Sequence, residues 1–197
     1  MIGLYTKKSG GTWFGVACDE QHVFATSFTA TEQKAVRDLL TCLPFNAEFQ
    51  VSSAATGLAE KALRVVEDIY DGKGQTQNVP LAMEWLPAYT QRVLQTVALI
   101  PVGYVSSYGR VAAAAGGGAR AVGNVMASNP FAPIVPCHRV VGWNLGLGGY
   151  GGGLDRKQAF LVREKRSYKE PRDIPVGEKK LTVFPVENVL NRLKTKK

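Results

Sequence analysis

Tyr108-Gly109-Arg110-Val111-Ala112-Ala113-Ala114-Ala115-Gly116-Gly117-Gly118-Ala119-Arg120-Ala121-Val122-Gly123-Asn124-Val125-Met126-Ala127-Ser128 reads as two short helices joined by a glycine turn, a helix-turn-helix. Ser106 or Ser107 can cap the first helix, which is rich in alanine and runs from about Tyr108 to Ala115. The second gathers Val122, Val125 and Met126 on one face, and Asn129-Pro130 stops it. Its other face is bare: Ala119, Ala121 and Gly123 carry almost no side chain, and Arg120 is the one long polar arm. Such a face approaches another surface closely but has few groups for reading bases in a major groove. Tight helix-helix packing is the ordinary explanation for small residues, but the residues downstream of this helix argue against it.

There, Pro136-Cys137-His138-Arg139-Val140 sets a nucleophilic sulfur beside an imidazole, and Gly146-Leu147-Gly148-Gly149-Tyr150-Gly151-Gly152-Gly153 is a loop whose backbone can line a pocket around Tyr150. A helix from Leu154 to Arg166 then supplies Glu164. Upstream, Tyr89 to Ile100 is a helix with Val93, Val97 and Ile100 on one face, ended by Pro101-Val102-Gly103.

The first third differs. Gly11 to Cys18 and His22 to Phe28 are aromatic and β-branched runs separated by Asp19-Glu20-Gln21, the pattern of a hairpin. Helical spacing recurs from Thr31 to Leu43, where Thr29 or Thr31 can cap, and from Leu58 to Tyr70. The polar break Asp71 to Pro80 leads to a domain boundary near residue 85. The expected division is 1–85, 86–166 and a basic tail, 167–197, that is either mobile or an arm against phosphates.

Of the net charge of +8, residues 1–95 contribute −2 (8 Lys/Arg, 10 Asp/Glu), 96–164 contribute +4 (6 and 2) and 165–197 contribute +6 (10 and 4). A basic second half suits a polyanion, and equally suits a soluble basic protein. No apolar run reaches the roughly 18 residues of a membrane span and no signal segment precedes the first strand, so no membrane association and a cytoplasmic location are expected, nuclear in a eukaryote. Three cysteines make no disulfide framework; Cys18 and Cys42 could bridge in a hyperthermophile's protein, but free thiols are the commoner case and are expected.

A thiol attacks as its thiolate, so Cys137 needs a base or a positive field. Neighbours on an extended segment point to opposite faces, so His138 reaches the sulfur only through a turn or a bridging water, with Glu164 orienting the ring's other nitrogen. Pro-Cys-His-Arg-Val, the preceding Asn129-Pro130, the arginine-bearing helix and the glycine loop with its tyrosine resemble the O6-alkylguanine-DNA alkyltransferases, also called methylated-DNA--protein-cysteine methyltransferases, over about residues 89 to 166.

The resemblance implies an α+β chain. Its N-terminal domain would have a small antiparallel sheet with helices, RNase H-like, and its C-terminal domain would be mostly helical and winged-helix-like. It implies Cys137 as alkyl acceptor, a His138-water-Glu164 relay, Asn129 holding the turn, and Tyr108 assisting extrusion of the damaged base. Arg120 would fill the vacated stack, with Tyr108, Thr90, Ala119, Ala121, Gly123 and Arg139 against DNA in the minor groove. Tyr150, Gly151, Gly152, Val140 and Met126 would wall the pocket. The implied partner is double-stranded DNA carrying O6-alkylguanine, with O4-alkylthymine a second substrate, acted on once by a monomer that needs no cofactor.

Two departures stand out: Gly151 lies where many relatives carry a serine, and Ala127-Ser128 where some carry an arginine. Cys18, His22 and Cys42 are too few and unsuitably spaced for the zinc some relatives hold, so no metal is expected. A damage sensor on this scaffold would lack the cysteine, a cysteine hydrolase would turn over repeatedly, and a transcription factor would need side chains that the bare helix does not have.

Overall fold

The computed structural model of the chain describes residues 1–52 and 54–194. Its residues form two compact units, Met1–Leu86 with Pro130–Ile134, and Pro87–Asn129 with Val135–Lys197. Pro130–Ile134 joins the first unit through non-local contacts that a linear division at residue 85 does not contain. The Thr26 backbone N–H donates to Pro130 O at 2.8 Å, the Thr26 hydroxyl donates to Ala132 O at 2.7 Å, and Ile134 enters the apolar cluster of that unit.

In the first unit β1 (Ile2–Ser9), β2 (Thr12–Cys18), β3 (Val23–Thr29) and β4 (Phe49–Ser52) form one sheet in the order β3-β2-β1-β4. The expected hairpin is β2-β3, and β1 extends it antiparallel; β4 is the exception, running parallel to β1. Side-chain alternation sends Ile2, Leu4, Ala17 and Ala25 to one face, against Leu39 of α1 (Glu32–Leu40). The opposite face carries Phe14, Val16 and Cys18 against Ala59, Ala62, Leu63 and Val66 of α2 (Leu58–Tyr70). Of the two candidate caps for α1, Thr31 serves, its hydroxyl accepting from Lys34 N at 3.3 Å.

The second unit begins with α3 (Ala88–Ala98) and β5 (Tyr104–Ser107), then α4 (Tyr108–Ala115) and α5 (Ala119–Ala127), the two helices of the motif. Ser107 caps α4 by accepting from Arg110 N at 3.3 Å. The turn between them requires glycine at 117, where φ is +85° and an added Cβ would lie 2.6 Å from Tyr89 Oη. Val122, Val125 and Met126 face inward as α5 packs on α4 and α3.

Pro136–Val141 is not simply extended. Cys137–Arg139 forms one turn of 3-10 helix and only Val140–Val141 is strand, β6, parallel to β5. After α6 (Leu154–Arg163) comes a correction to the expected tail: β7 (Arg172–Val176), β8 (Lys179–Pro185) and α7 (Val186–Lys194) are ordered structure. They complete a second sheet, β6-β5-β8-β7, so this unit is less purely helical than the pattern suggested. The apolar alternation Leu181, Val183, Pro185 was masked by ten basic residues in 165–197, yet it buries one face of β8. Residues 195–197 of that stretch lie outside the described residues.

No helix among the described residues is long and apolar enough to cross a membrane. All three cysteines are free.

Candidate active site

The 3-10 turn delivers Cys137, His138 and Arg139 into the interior at 7%, 0% and 7% exposure. His138 Nε2 lies 2.9 Å from Glu164 Oε1, and Glu164 is itself fully buried at the C-terminal end of α6. A carboxylate only accepts, so Nε2 carries the hydrogen. Burial pulls the imidazole pKa down against the pull of Glu164, which keeps the ring neutral. Its lone pair is therefore on Nδ1, a buried atom with no hydrogen-bond partner. Phe160 stacks on the ring with centroids 4.5 Å apart and sets its plane.

Glu164 is held as the anion. Burial alone would raise its pKa, but His138 and Arg139 together lower it to about 2. Arg139 Nε donates at 2.9 Å to Oε2, its Nη2 at 2.7 Å to Oε1, and its Nη1 to the carbonyl of Ile100. Arg139 is thus a buried, bidentate clamp on Glu164, not a side chain free to meet phosphate, and the expectation that it contacts DNA is corrected. An arginine that already satisfies a buried carboxylate cannot leave without stranding both charges.

Around the sulfur, Asn129 makes a hydrogen bond to Cys137 and donates from Nδ2 to Val135 O at 2.8 Å, tying the end of α5 to the segment that enters the turn. Tyr150 also hydrogen-bonds Cys137, and burial and the neighbouring sulfur push the phenol pKa upward. Tyr108 donates from its hydroxyl to Gly149 O at 3.2 Å. The thiol itself is not preionised: burial raises the pKa of Cys137 above 9.0, opposed by the Asn129 hydrogen bond and the charge of Lys157. The resting group is therefore a neutral thiol, and a base must take its proton for it to act as a nucleophile.

Lys157 escaped the sequence reading. It is fully buried on α6, donates to Val140 O at 2.6 Å and Gly149 O at 3.1 Å, and has its pKa pulled down to about 8 by burial. In a helix that begins Leu154-Asp155-Arg156, an inward lysine has no sequence signal separating it from its charged neighbours. Only its place two turns ahead of Glu164 on the same helix hinted at an inner face.

Residues 88–166 match the family model described as 6-O-methylguanine DNA methyltransferase, DNA binding domain. The constitutive methylated-DNA--protein-cysteine methyltransferase of Bacillus subtilis is 40% identical over 116 residues, covering 57% of this chain and 69% of that protein. The chain belongs to the methylated-DNA--protein-cysteine methyltransferase family. A family member from Mycolicibacterium paratuberculosis is 50% identical over 80 residues, 40% of this chain, and the match spans about half of that relative, 48%. The structure of Mycobacterium tuberculosis OGT in complex with DNA superposes with a TM-score of 0.66 at 30% identity, covering 83% of this chain and 92% of that one. The O6-methylguanine-DNA methyltransferase of Pyrococcus kodakaraensis gives a TM-score of 0.62 at 26% identity, covering 83% and 99%.

Within this family's scaffold the expected residues fall into three hydrogen-bonded sets: Cys137 with Asn129, which also holds Val135 O, and with Tyr150; His138 with Glu164; and Tyr108 with Lys157 at the Gly149 carbonyl, Lys157 also holding Val140 O. Gly151 and Gly152 are exposed in the loop, and a Cβ on Gly152 would lie 3.0 Å from Tyr150 Cε1. Ala119 and Arg120 are exposed and Ala121 and Gly123 half-buried on α5, while Thr90 is half-buried on α3. Met126, expected in the pocket wall, lies on the buried stripe of α5 with Val122 and Val125. Among the described residues no group of three His, Cys, Asp or Glu is placed to hold a metal ion.

Proposed function

We propose that this chain reverses alkylation damage in duplex DNA by moving the alkyl group of O6-alkylguanine onto Cys137, once per molecule. The single observation that carries the reading is the chain of groups behind the sulfur: a neutral His138 with its lone pair on buried Nδ1, its Nε2 hydrogen on an anionic Glu164, and that anion clamped by Arg139. A base so arranged takes the thiol proton through one bridging water as the sulfur attacks, which a thiol with a raised pKa requires.

In the transfer the sulfur lone pair forms the S–C bond to the alkyl carbon, the C–O6 bond breaks, and its electron pair goes to the guanine. Tyr108, beside the site through Gly149, is the group we assign to protonate the departing base. The thiol proton passes to His138, where Glu164 stabilises the imidazolium, and is returned by way of solvent to the Tyr108 phenolate, so that both groups end neutral and the only net change is the alkyl group exchanged for the proton on guanine. The product thioether has no base-labile bond, so the reaction stops after one event. O4-alkylthymine offers the same leaving-group chemistry and is the second substrate we infer.

An alkylated carbon inside a stacked helix cannot reach a sulfur on a residue that is 7% exposed, so the base must be flipped out, at a few kcal/mol, less for a damaged pair. The bare face of α5, with Ala119, Ala121 and Gly123, suits close approach to a minor groove, and exposed Arg120 suits the space left in the stack. The test is mass spectrometry of the protein after exposure to duplex DNA containing O6-methylguanine. One methyl group on the peptide containing Cys137, with product limited to one per protein molecule, is the expected result; repeated turnover, or tight binding with an unmodified Cys137, would overturn it.

A further inference from the structure

Trp143 is 87% exposed, by far the most solvent-facing tryptophan of the chain beside Trp85 at 38%. Its loop is not slack. Gly142 N donates to Gly146 O at 2.8 Å, Leu145 N to Gly142 O at 3.0 Å and Gly146 N to Asn144 Oδ1 at 3.0 Å. Leu145, with a left-handed φ of +59°, and Leu147 pack inward on the cluster of Val105, Val141, Leu161, Val186 and Val189. Two of those valines belong to α7, which lies beyond the residues that match the family model. The turn is therefore pinned from behind, and the indole is the large side chain it leaves facing solvent.

The far end of the same loop reaches the site. A Cβ on Gly148 would lie 3.1 Å from Tyr108 Cε2, and Gly149 O accepts from both Tyr108 and Lys157. From Gly142 to Gly153 the loop has no charged residue, so no carboxylate on it opposes a phosphate backbone. An aromatic face on such a support can stack on a base whose neighbour has left the helix, without regard to sequence, because every base has a π face and extrusion of the damaged base uncovers the faces beside it.

We propose that Trp143 is a nucleic-acid contact, its indole stacking on a nucleobase beside the lesion and adding a sequence-independent anchor on the pocket side of the site. This rests on the DNA-repair reading, and its test needs no alkyl transfer. The full chain is labelled with 5-fluorotryptophan and titrated with an oligonucleotide duplex that carries one abasic site, where the flanking bases each present a free face, the Trp143 resonance being the one that W143F removes. That resonance shifts or broadens on saturation. By fluorescence anisotropy W143A weakens duplex binding by roughly 5- to 150-fold, the range of an aromatic-base stack, and W143F recovers most of the loss. Reaction of W143A with free O6-benzylguanine base is unchanged.

A Trp143 resonance that stays put while anisotropy reports a bound duplex overturns the proposal. So does a W143A loss that appears equally with the free base, which would make Trp143 a wall of the pocket. A wild-type chain that binds duplex and moves the Trp143 resonance but leaves Cys137 unalkylated by damaged DNA sinks the repair reading and leaves this contact standing.

Discussion

Glu164→Gln keeps the size and shape of the side chain and removes its charge, leaving Arg139 buried with no counter-ion and His138 facing an amide. The carboxyl titrates at about 2 in the fold against an ordinary 4.5, because the pull of His138 and Arg139 overcomes the opposing effect of burial. At about 1.4 kcal/mol per pH unit, that difference corresponds to about 3 kcal/mol of stability at neutral pH, within the range of roughly 3–5 kcal/mol for breaking a buried ion pair. The folded value lies below the unfolded one, so the contribution is complete above pH 4.5 and is lost as pH falls toward 2. At pH 3 about 1.4 kcal/mol remains. Urea unfolding followed by circular dichroism at pH 7, 5, 4 and 3 measures the gap between wild type and E164Q. The gap should be about 3 kcal/mol at pH 7 and less than half of that at pH 3. An unchanged gap across this window would mean that the carboxylate is not held as an anion by Arg139 and His138, and the reasoning on the relay would fail with it.

Lys157→Gln removes the positive charge that draws the Cys137 pKa down and should slow single-turnover alkyl transfer at pH 7 by roughly tenfold, a loss of about 1.4 kcal/mol of transition-state stabilisation. Because the Lys157 pKa is drawn down to about 8, its help should fade as pH rises through that value, so the wild-type advantage over K157Q shrinks between pH 7 and 9 in quench-flow measurements. Arg120→Ala should reduce repair of duplex O6-methylguanine by at least roughly 100-fold while reaction with the free alkylated base is preserved, since flipping, at a few kcal/mol, is the step it serves; equal losses on both substrates would remove Arg120 from flipping. Gly151→Ser should fold normally, within about 0.5 kcal/mol of wild type by thermal unfolding, because a Cβ there meets nothing within 4 Å. The added hydroxyl fills open space beside Tyr150, so the rate ratio of benzyl- to methylguanine DNA should fall.

Local signals made much of this molecule legible. The helix-turn-helix, Ser107 as a cap, Asn129-Pro130 as a stop and the β2-β3 hairpin each rest on residues within a few positions of one another, and propensity and packing agree there. The pairing of His138 with Glu164, 26 positions apart, was accessible only because the surrounding motif resembled a known family. What failed did so where partners are distant in sequence and chemistry is ambiguous. Arg139 looks like a phosphate ligand beside a reactive cysteine, and only the arrival of Glu164 and the Ile100 carbonyl at its guanidinium shows that the arginine is spent on an internal clamp.

The C-terminal thirty residues show how composition can conceal a fold. Their excess of lysine and arginine reads as a solvated tail, but the pattern Leu181-Thr182-Val183-Phe184-Pro185 alternates with strand period, and Val186 and Val189 share a helix face. The charges of this strand pair lie on the outward half of that pattern, where Lys180 pairs with Asp173 and Arg110 covers Phe184 at 4.8 Å. Exposed pairs of this kind add little stability; the burial of Leu181, Val183, Val186 and Val189 is what holds the segment. The added hairpin and helix thereby complete the sheet beside β5 and press on Leu145 and Leu147, so an extension outside the family match bears on the loop that lines the reactive sulfur. Shortening the Leu190 and Leu193 side chains to alanine should accordingly raise amide hydrogen exchange in residues 142–149 while exchange in α5 stays as it was, and uniform change across the unit would show that α7 supports the fold at large and not this loop.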